Sequence, residues 1–172
     1  MKFKIKQGNH YTNKRWWIRL NRKNRFKKIA YSVVLSSNWY YNDNIISYSG
    51  WNKIFGFGAI NHHNISARLV CKPDKENKDR LIIASYVYKN GEWFDNIFSY
   101  TYTENAKSMA IRVIENDDIT KRGYKFYCGN DSIFIQHDNP RYEKKLWPYF
   151  GGWDRSYKDI FVTLKKITDI KW

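Results

Sequence analysis

WNKIFGFGAINHHNISARLVC, residues Trp51 to Cys71, is the stretch from which the rest of the chain is read. Side chains alternate between the two faces of an extended strand. The second half of the stretch then places His63, Ile65, Ala67 and Leu69 on one face and His62, Asn64, Ser66 and Arg68 on the other. The first face is mostly core. The second is a row of hydrogen-bonding groups without the Lys or Glu of an ordinary solvated surface, as expected of a strand lining a ligand site. A polar edge strand is the plainer reading, and both stand. Gly56 and Gly58 flank Phe57, which indicates a bulge or a close backbone approach. They are no phosphate-binding fingerprint, because no helix follows and a third glycine is missing.

Working outward, KPDKENKDR reads as a charged hairpin connection into a strand from Leu81 to Lys89. Asn90-Gly91, the strongest hairpin signal in the chain, leads on to Glu92–Phe94. With Leu81, Ile83 and Val87 inward, Tyr86 and Tyr88 share the opposite face. Antiparallel pairing through the charged connection sets these tyrosines beside Ser66 and Arg68.

The same periodicity recurs elsewhere. Met1–Gln7 opposes Met1, Phe3 and Ile5 to three lysines. Arg15–Leu20 turns Trp16, Ile18 and Leu20 inward and gathers Arg15, Trp17 and Arg19 on the other side. Asn21–Lys28 is a basic loop, Ile29–Leu35 a β-branched strand, and SSNWYYNDN a turn segment carrying Trp39, Tyr40 and Tyr41. Ile97–Thr103, Ser108–Glu115, the hairpin Tyr124–Cys128 with Ser132–His137, and Ile160–Leu164 complete the set. HDNPRYEKKLWPYFGGWDRSY reads as a long irregular loop. About ten short strands with regular turns, and no amphipathic helix of three turns, predict an all-β chain: a single antiparallel β-sandwich or barrel domain over 1–172. Cys71 and Cys128 each end an apolar run and read as free buried thiols.

Charge is the strongest global signal. The chain carries 31 Lys plus Arg against 16 Asp plus Glu, a formal net of +15. From Met1 to Asn42 there are eleven basic residues and no acidic one. Such a field attracts polyanions, with Arg15, Arg19, Arg22, Lys23 and Arg25 as its anion-attracting core; solubility is the plainer use of the same charge. Aromatic residues make up 19% of the chain, more than one core needs, so some are expected to be exposed. Trp17 and Trp39 are candidate platforms for stacking on bases or sugars; for Trp17, packing beneath a loop under the Arg stems is an equal reading. Nothing resembles a signal peptide or a run of about 18 apolar residues, so a cytoplasmic protein that does not engage membrane is expected.

Three chemistries fail on pattern. Of four histidines, His62 and His63 point to opposite faces of a strand and cannot share an ion; a metal site would need distant partners such as His137 and Asp138. The paired His-x-Thr/Ser motifs of phosphodiesterases are absent. Asp138 with Glu143-Lys144-Lys145 only superficially resembles a nuclease arrangement, because the spacing is short and the supporting frame is missing. In an extended strand Ser66 and His62 are about 13 Å apart, too far for a nucleophile and its base. No metal, cofactor or catalytic residue is therefore assigned.

IFGFGAINHHNISAR and LWPYFGGWDRSYKDIFVTL resemble the small jelly-roll, concanavalin-like sandwich proteins of bacteria and their phages. The likeness covers about half the chain and rests on a Gly- and His-containing strand before Ser66-Ala67-Arg68, and on Trp147-Pro148-Tyr149-Phe150-Gly151-Gly152 before Asp159-Ile160. Where that family has Ala-Pro-His, this chain has Ser156, Tyr157 and Lys158, so the role of that histidine is absent. The resemblance implies a fold and leaves function open.

The expectation is thus a non-enzymatic binding protein for a phosphate-bearing ligand, a nucleic acid or nucleotide. His62, Asn64, Ser66, Arg68, Tyr86 and Tyr88 form its site. A phage-borne protein that sequesters a nucleotide signal or blocks a host protein fits the size and charge. The alternatives are a carbohydrate-binding jelly roll, and a hydrolase or lyase using His62, Tyr86 and Arg68.

Overall fold

The computed structural model of the chain describes residues 1–13, 27–39, 50–74, 76–77, 80–102, 105–151 and 155–169. Strands β1 (Lys2–Ile5), β11 (Ile160–Lys166), β2 (Lys28–Leu35), β7 (Lys107–Ile114), β8 (Gly123–Cys128) and β9 (Asp131–Gln136) form a six-stranded sheet in that order. Strands β10 (Lys144–Leu146), β3 (Asn52–Gly58), β4 (Ile65–Pro73), β5 (Leu81–Lys89) and β6 (Glu92–Tyr102) form a five-stranded one. All neighbours run antiparallel, and the two sheets pack into a β-sandwich.

Alternation within each strand builds the core. The six-stranded sheet turns in Ile29, Tyr31, Val33 and Leu35 from β2, Met109, Ile111 and Val113 from β7, and Ile160, Val162 and Leu164 from β11. The other sheet meets them with Phe55 and Phe57 from β3, Ala67, Leu69 and Cys71 from β4, and Leu81, Ile83 and Val87 from β5. Cys71 and Cys128, one from each sheet, are free and buried, as their apolar surroundings in the sequence predict.

The hairpin between β5 and β6 turns on Asn90 (φ 54°) and Gly91 (φ 89°), the pair of positive φ values a two-residue type I′ turn requires. Strand β6 is longer than its sequence suggests. It absorbs both Glu92–Phe94 and the strand expected at Ile97, because a register shift opposite Ile82/Ala84 lets one strand continue through the irregularity. The segment read as an irregular loop also contains β10, which pairs with the end of β3 despite its lysines. Lysine-bearing edge strands of this kind discourage further pairing.

Trp39 overturns an expectation. It is fully buried, its Nε1 donates to the Phe161 carbonyl at 3.1 Å, and its ring lies 6.1 Å from that of Phe150. It closes the core beneath the turn after β2 and offers no platform. Arg15, Arg19, Arg22, Lys23, Arg25 and Trp17 lie outside the described residues, as does the strand expected at Arg15–Leu20. No helix among the described residues is long and apolar enough to cross a membrane.

Candidate anion-binding face

The candidate site lies on the face of the five-stranded sheet that points away from the core. Ala67, Leu69 and Cys71 of β4 point into the core, so Ser66, Arg68 and Val70 point outward. Register then assembles three cross-strand rows. One runs Tyr149, Lys53, Val70, Ala84 and Ile97. The next runs Leu146, Gly56, Arg68, Tyr86 and Asp95, and the third Lys144, Gly58, Ser66, Tyr88 and Trp93. Tyr86 and Tyr88 thus stand directly opposite Arg68 and Ser66, as sequence parity predicts.

The two glycines act through absence. A Cβ on Gly56 would collide with the Ala67 carbonyl oxygen and sit 2.8 Å from Arg68 Cγ; one on Gly58 would sit 3.0 Å from Ser66 Cβ and 3.1 Å from His62 Cβ. Gly56 therefore makes room for the Arg68 stem, and Gly58 for His62 and Ser66. The close approach expected from the sequence is present, and a register shift between Lys53 and Phe55 supplies the irregularity.

The polar row is shorter than the alternation of the sequence suggests. Strand β4 begins at Ile65, and residues 61–64 form a turn in which the Asn61 carbonyl accepts from the N–H groups of Asn64 (3.2 Å) and Ile65 (3.5 Å). Local Asn chemistry wins over strand extension here. Asn64 is exposed on this turn and leaves the row. His62 also leaves the strand, but the turn folds it back over Gly58 beside Ser66. The separation of about 13 Å expected for an extended chain therefore does not apply, although no hydrogen bond joins the two: Ser66 Oγ is buried without a partner among the described residues. His62 and His63 do not oppose each other either, since their rings lie 4.3 Å apart.

Arg68 dominates the electrostatics. It is only 7% exposed, and among the described residues its Nε has no hydrogen-bond partner and no carboxylate pairs with it. Burial brings its guanidinium down to about 10, against the opposing influence of Tyr86, Tyr88 and Tyr149. An uncompensated buried cation is costly to the fold. Lys53 adds a second. Its ammonium donates to the Gly151 carbonyl at 3.2 Å and lies 5.5 Å from the Tyr86 ring and 5.6 Å from the Tyr149 ring. Burial, and then Arg68, lower it to about 8.

Neutral donors surround these charges. Burial, then Arg68, His63 and Lys144, hold His62 at about 4, so its imidazole is neutral at physiological pH. Tyr86 is pushed upward by burial and by its hydrogen bond with Tyr88, whose hydroxyl is 3.4 Å away, and it keeps its proton. Trp51 packs with Val70, Ala84 and Tyr86 and donates from Nε1 to Asp95, the carboxylate at the far end of the Arg68 row. The other flank has an aromatic rim: Trp93, 54% exposed, stacks on Tyr86 at 5.6 Å, and His63 meets Tyr88 edge-on at 5.8 Å.

Lys53, Lys144, Tyr149 and Trp93 are not among the ligand-site residues expected from the sequence. Parity from Trp51 across WNK makes Lys53 accessible to reasoning. Tyr149 sits in a segment without periodicity and reaches the face through isolated bridges to Lys53 and Tyr11. His137 proves structural. It is buried, its Nε2 meets the Tyr88 carbonyl at 3.3 Å, and its Nδ1 accepts from the Asn139 N–H. No three His, Cys, Asp or Glu among the described residues converge as metal ligands. Asp138 and Glu143 of the nuclease-like loop pair with Lys89 and Arg141, each at 3.2 Å. No protein-family model matches the chain, and no curated protein matches it either.

Proposed function

We propose that the protein binds a phosphate-bearing ligand, a nucleotide or the end of a nucleic acid, on the outer face of the five-stranded sheet. Arg68 is the observation that carries this reading: a guanidinium nine-tenths buried, without a carboxylate partner among the described residues, and flanked by tyrosines. An anion arriving there replaces lost hydration with charge-assisted hydrogen bonds, which a guanidinium fork gives to phosphate in a bidentate manner. Trp93, stacked on Tyr86 at the rim, offers a ring on which a base can rest. The net charge of +15 adds long-range attraction.

Binding without turnover is favoured over catalysis. Tyr86, the acid or base of the hydrolase or lyase reading, holds its proton too tightly to act as a base near neutrality. Sequestration of a nucleotide in the cytoplasm of a phage-infected cell is the setting that suits such a protein. The carbohydrate reading loses Trp39, which lies in the core.

Calorimetric titration with mononucleotides and short oligonucleotides tests the proposal. Binding should weaken between about 50 and 200 mM salt and disappear in Arg68→Ala. Retention of the same affinity in Arg68→Ala overturns it.

A further inference from the structure

Two cations share this face within reach of the same rings. Lys53 lies over Tyr86 and Tyr149, and Arg68 stands opposite Tyr86. Arg68 lowers the affinity of Lys53 for its proton, as expected of like charges on a shared face. The nearest carboxylate in the rows, Asp95, already accepts from Trp51. Among the described residues, no carboxylate therefore pairs with either of these two positive charges.

Donor capacity is equally lopsided. Ser66 Oγ and Arg68 Nε are buried without partners among the described residues, and the hydroxyls of Tyr86 and Tyr88 lie 3.4 Å apart on the same face. Depth adds a steric condition. The stem of Arg68 lies over Gly56 and the residue is only 7% exposed, so a phosphate with one substituent has an easier approach to its guanidinium than one with two. An internal phosphodiester carries one charge, two free oxygens and a sugar on each side. A terminal phosphomonoester carries close to two charges at neutral pH, presents three free oxygens and projects from one substituent.

Building on the phosphate-binding reading above, we infer that the face shared by Arg68 and Lys53 selects a terminal phosphate dianion over an internal phosphodiester. The ligand is then a nucleoside monophosphate or a strand end entering phosphate first, with the base left at the Trp93 rim. Along a strand, the protein recognises ends.

Isothermal titration of the full chain at pH 7.2 or so, where the monoester is mostly dianionic, tests this with matched probes: AMP against 3′,5′-cyclic AMP, GMP against 3′,5′-cyclic GMP, and a 5′-phosphorylated oligothymidylate against its 5′-hydroxyl form. The expected result is binding at least about tenfold tighter for each monoester, a ratio equivalent to about 1.4 kcal/mol. In Lys53→Met, with folding verified by circular dichroism, the preference should collapse to within about threefold. Equal or tighter binding of the cyclic or 5′-hydroxyl probes, with all binding lost in Arg68→Ala, overturns the selectivity and leaves the phosphate site standing. Failure of every probe to bind, or binding unaffected by Arg68→Ala, overturns both.

Discussion

Arg68 and Gly56 are cross-strand neighbours that fit only because one of them has no side chain: a Cβ on Gly56 would lie 2.8 Å from Arg68 Cγ. The same Cβ would strike the Ala67 carbonyl, which belongs to the backbone and cannot rotate aside. Gly56→Ala should therefore cost about 1–3 kcal/mol of stability, the usual range for overpacking. It should also displace Arg68 and weaken phosphate binding. Urea denaturation read by tryptophan fluorescence measures the first effect and calorimetry the second; a variant as stable as the parent would show that β3 and β4 separate easily here.

Replacing Arg68 itself should act in the opposite direction on stability. Arg68→Met keeps an unbranched stem above Gly56 and removes a buried charge that no carboxylate among the described residues pairs with. Apolar replacement of buried charges is often stabilising, so a gain of about 1–3 kcal/mol in urea denaturation is expected together with loss of ligand binding. This is the trade between stability and function found where a site holds strain for its ligand. A destabilised Arg68→Met would mean that the guanidinium contributes to folding.

Much of this arrangement was legible in the sequence, for definite physical reasons. Alternation in Ile65–Cys71 and Leu81–Lys89, joined by a connection of turn-forming residues, made the pairing of Arg68 with Tyr86 and of Ser66 with Tyr88 a matter of parity. Asn90-Gly91 announced its turn because both residues tolerate positive φ. Alternation misled at Asn61–Asn64, where backbone hydrogen bonding closes a turn and lifts His62 and Asn64 out of the strand. Trp39 misled for a related reason. Its turn-rich neighbours suggested exposure, whereas a large ring beside a strand end is drawn into the core when a carbonyl, here that of Phe161, can take its N–H. Tyr149 was illegible, because isolated bridges leave no period in a sequence.

The pH dependence of the site follows from two depressed groups. Lys53, facing Arg68, Tyr86 and Tyr149, is lowered to about 8. Above that pH the folded protein releases a proton that the unfolded chain keeps until near its ordinary value, so the contribution of Lys53 to stability rises from about pH 8 to 10. Anion affinity should fall as pH rises through about 8, where the folded protein's ammonium loses its charge. His62, facing Arg68, His63 and Lys144, is held at about 4. The unfolded chain protonates first as pH falls below about 6.5, so stability should decline from there toward pH 4. Denaturation curves of the parent, Lys53→Met and His62→Gln at a series of pH values separate the two. If Lys53→Met keeps the same alkaline profile as the parent, Lys53 is not the group responsible.

Trp39 supplies a control that separates folding from binding. It is buried, donates to the Phe161 carbonyl at 3.1 Å and packs against Phe150, on the core side of the sandwich and away from Arg68. Trp39→Ala removes a large buried ring and leaves that carbonyl without its donor, at an expected cost of about 3–5 kcal/mol. Trp39→Phe keeps most of the volume and should cost less, roughly the value of one hydrogen bond and a small cavity, or about 1–2 kcal/mol. At temperatures where Trp39→Phe is fully folded, its affinity for a mononucleotide should equal that of the parent. A stable, folded Trp39→Phe that fails to bind would place this tryptophan in the ligand's path after all, and would move the site from the outer face of the five-stranded sheet to the end of the sandwich.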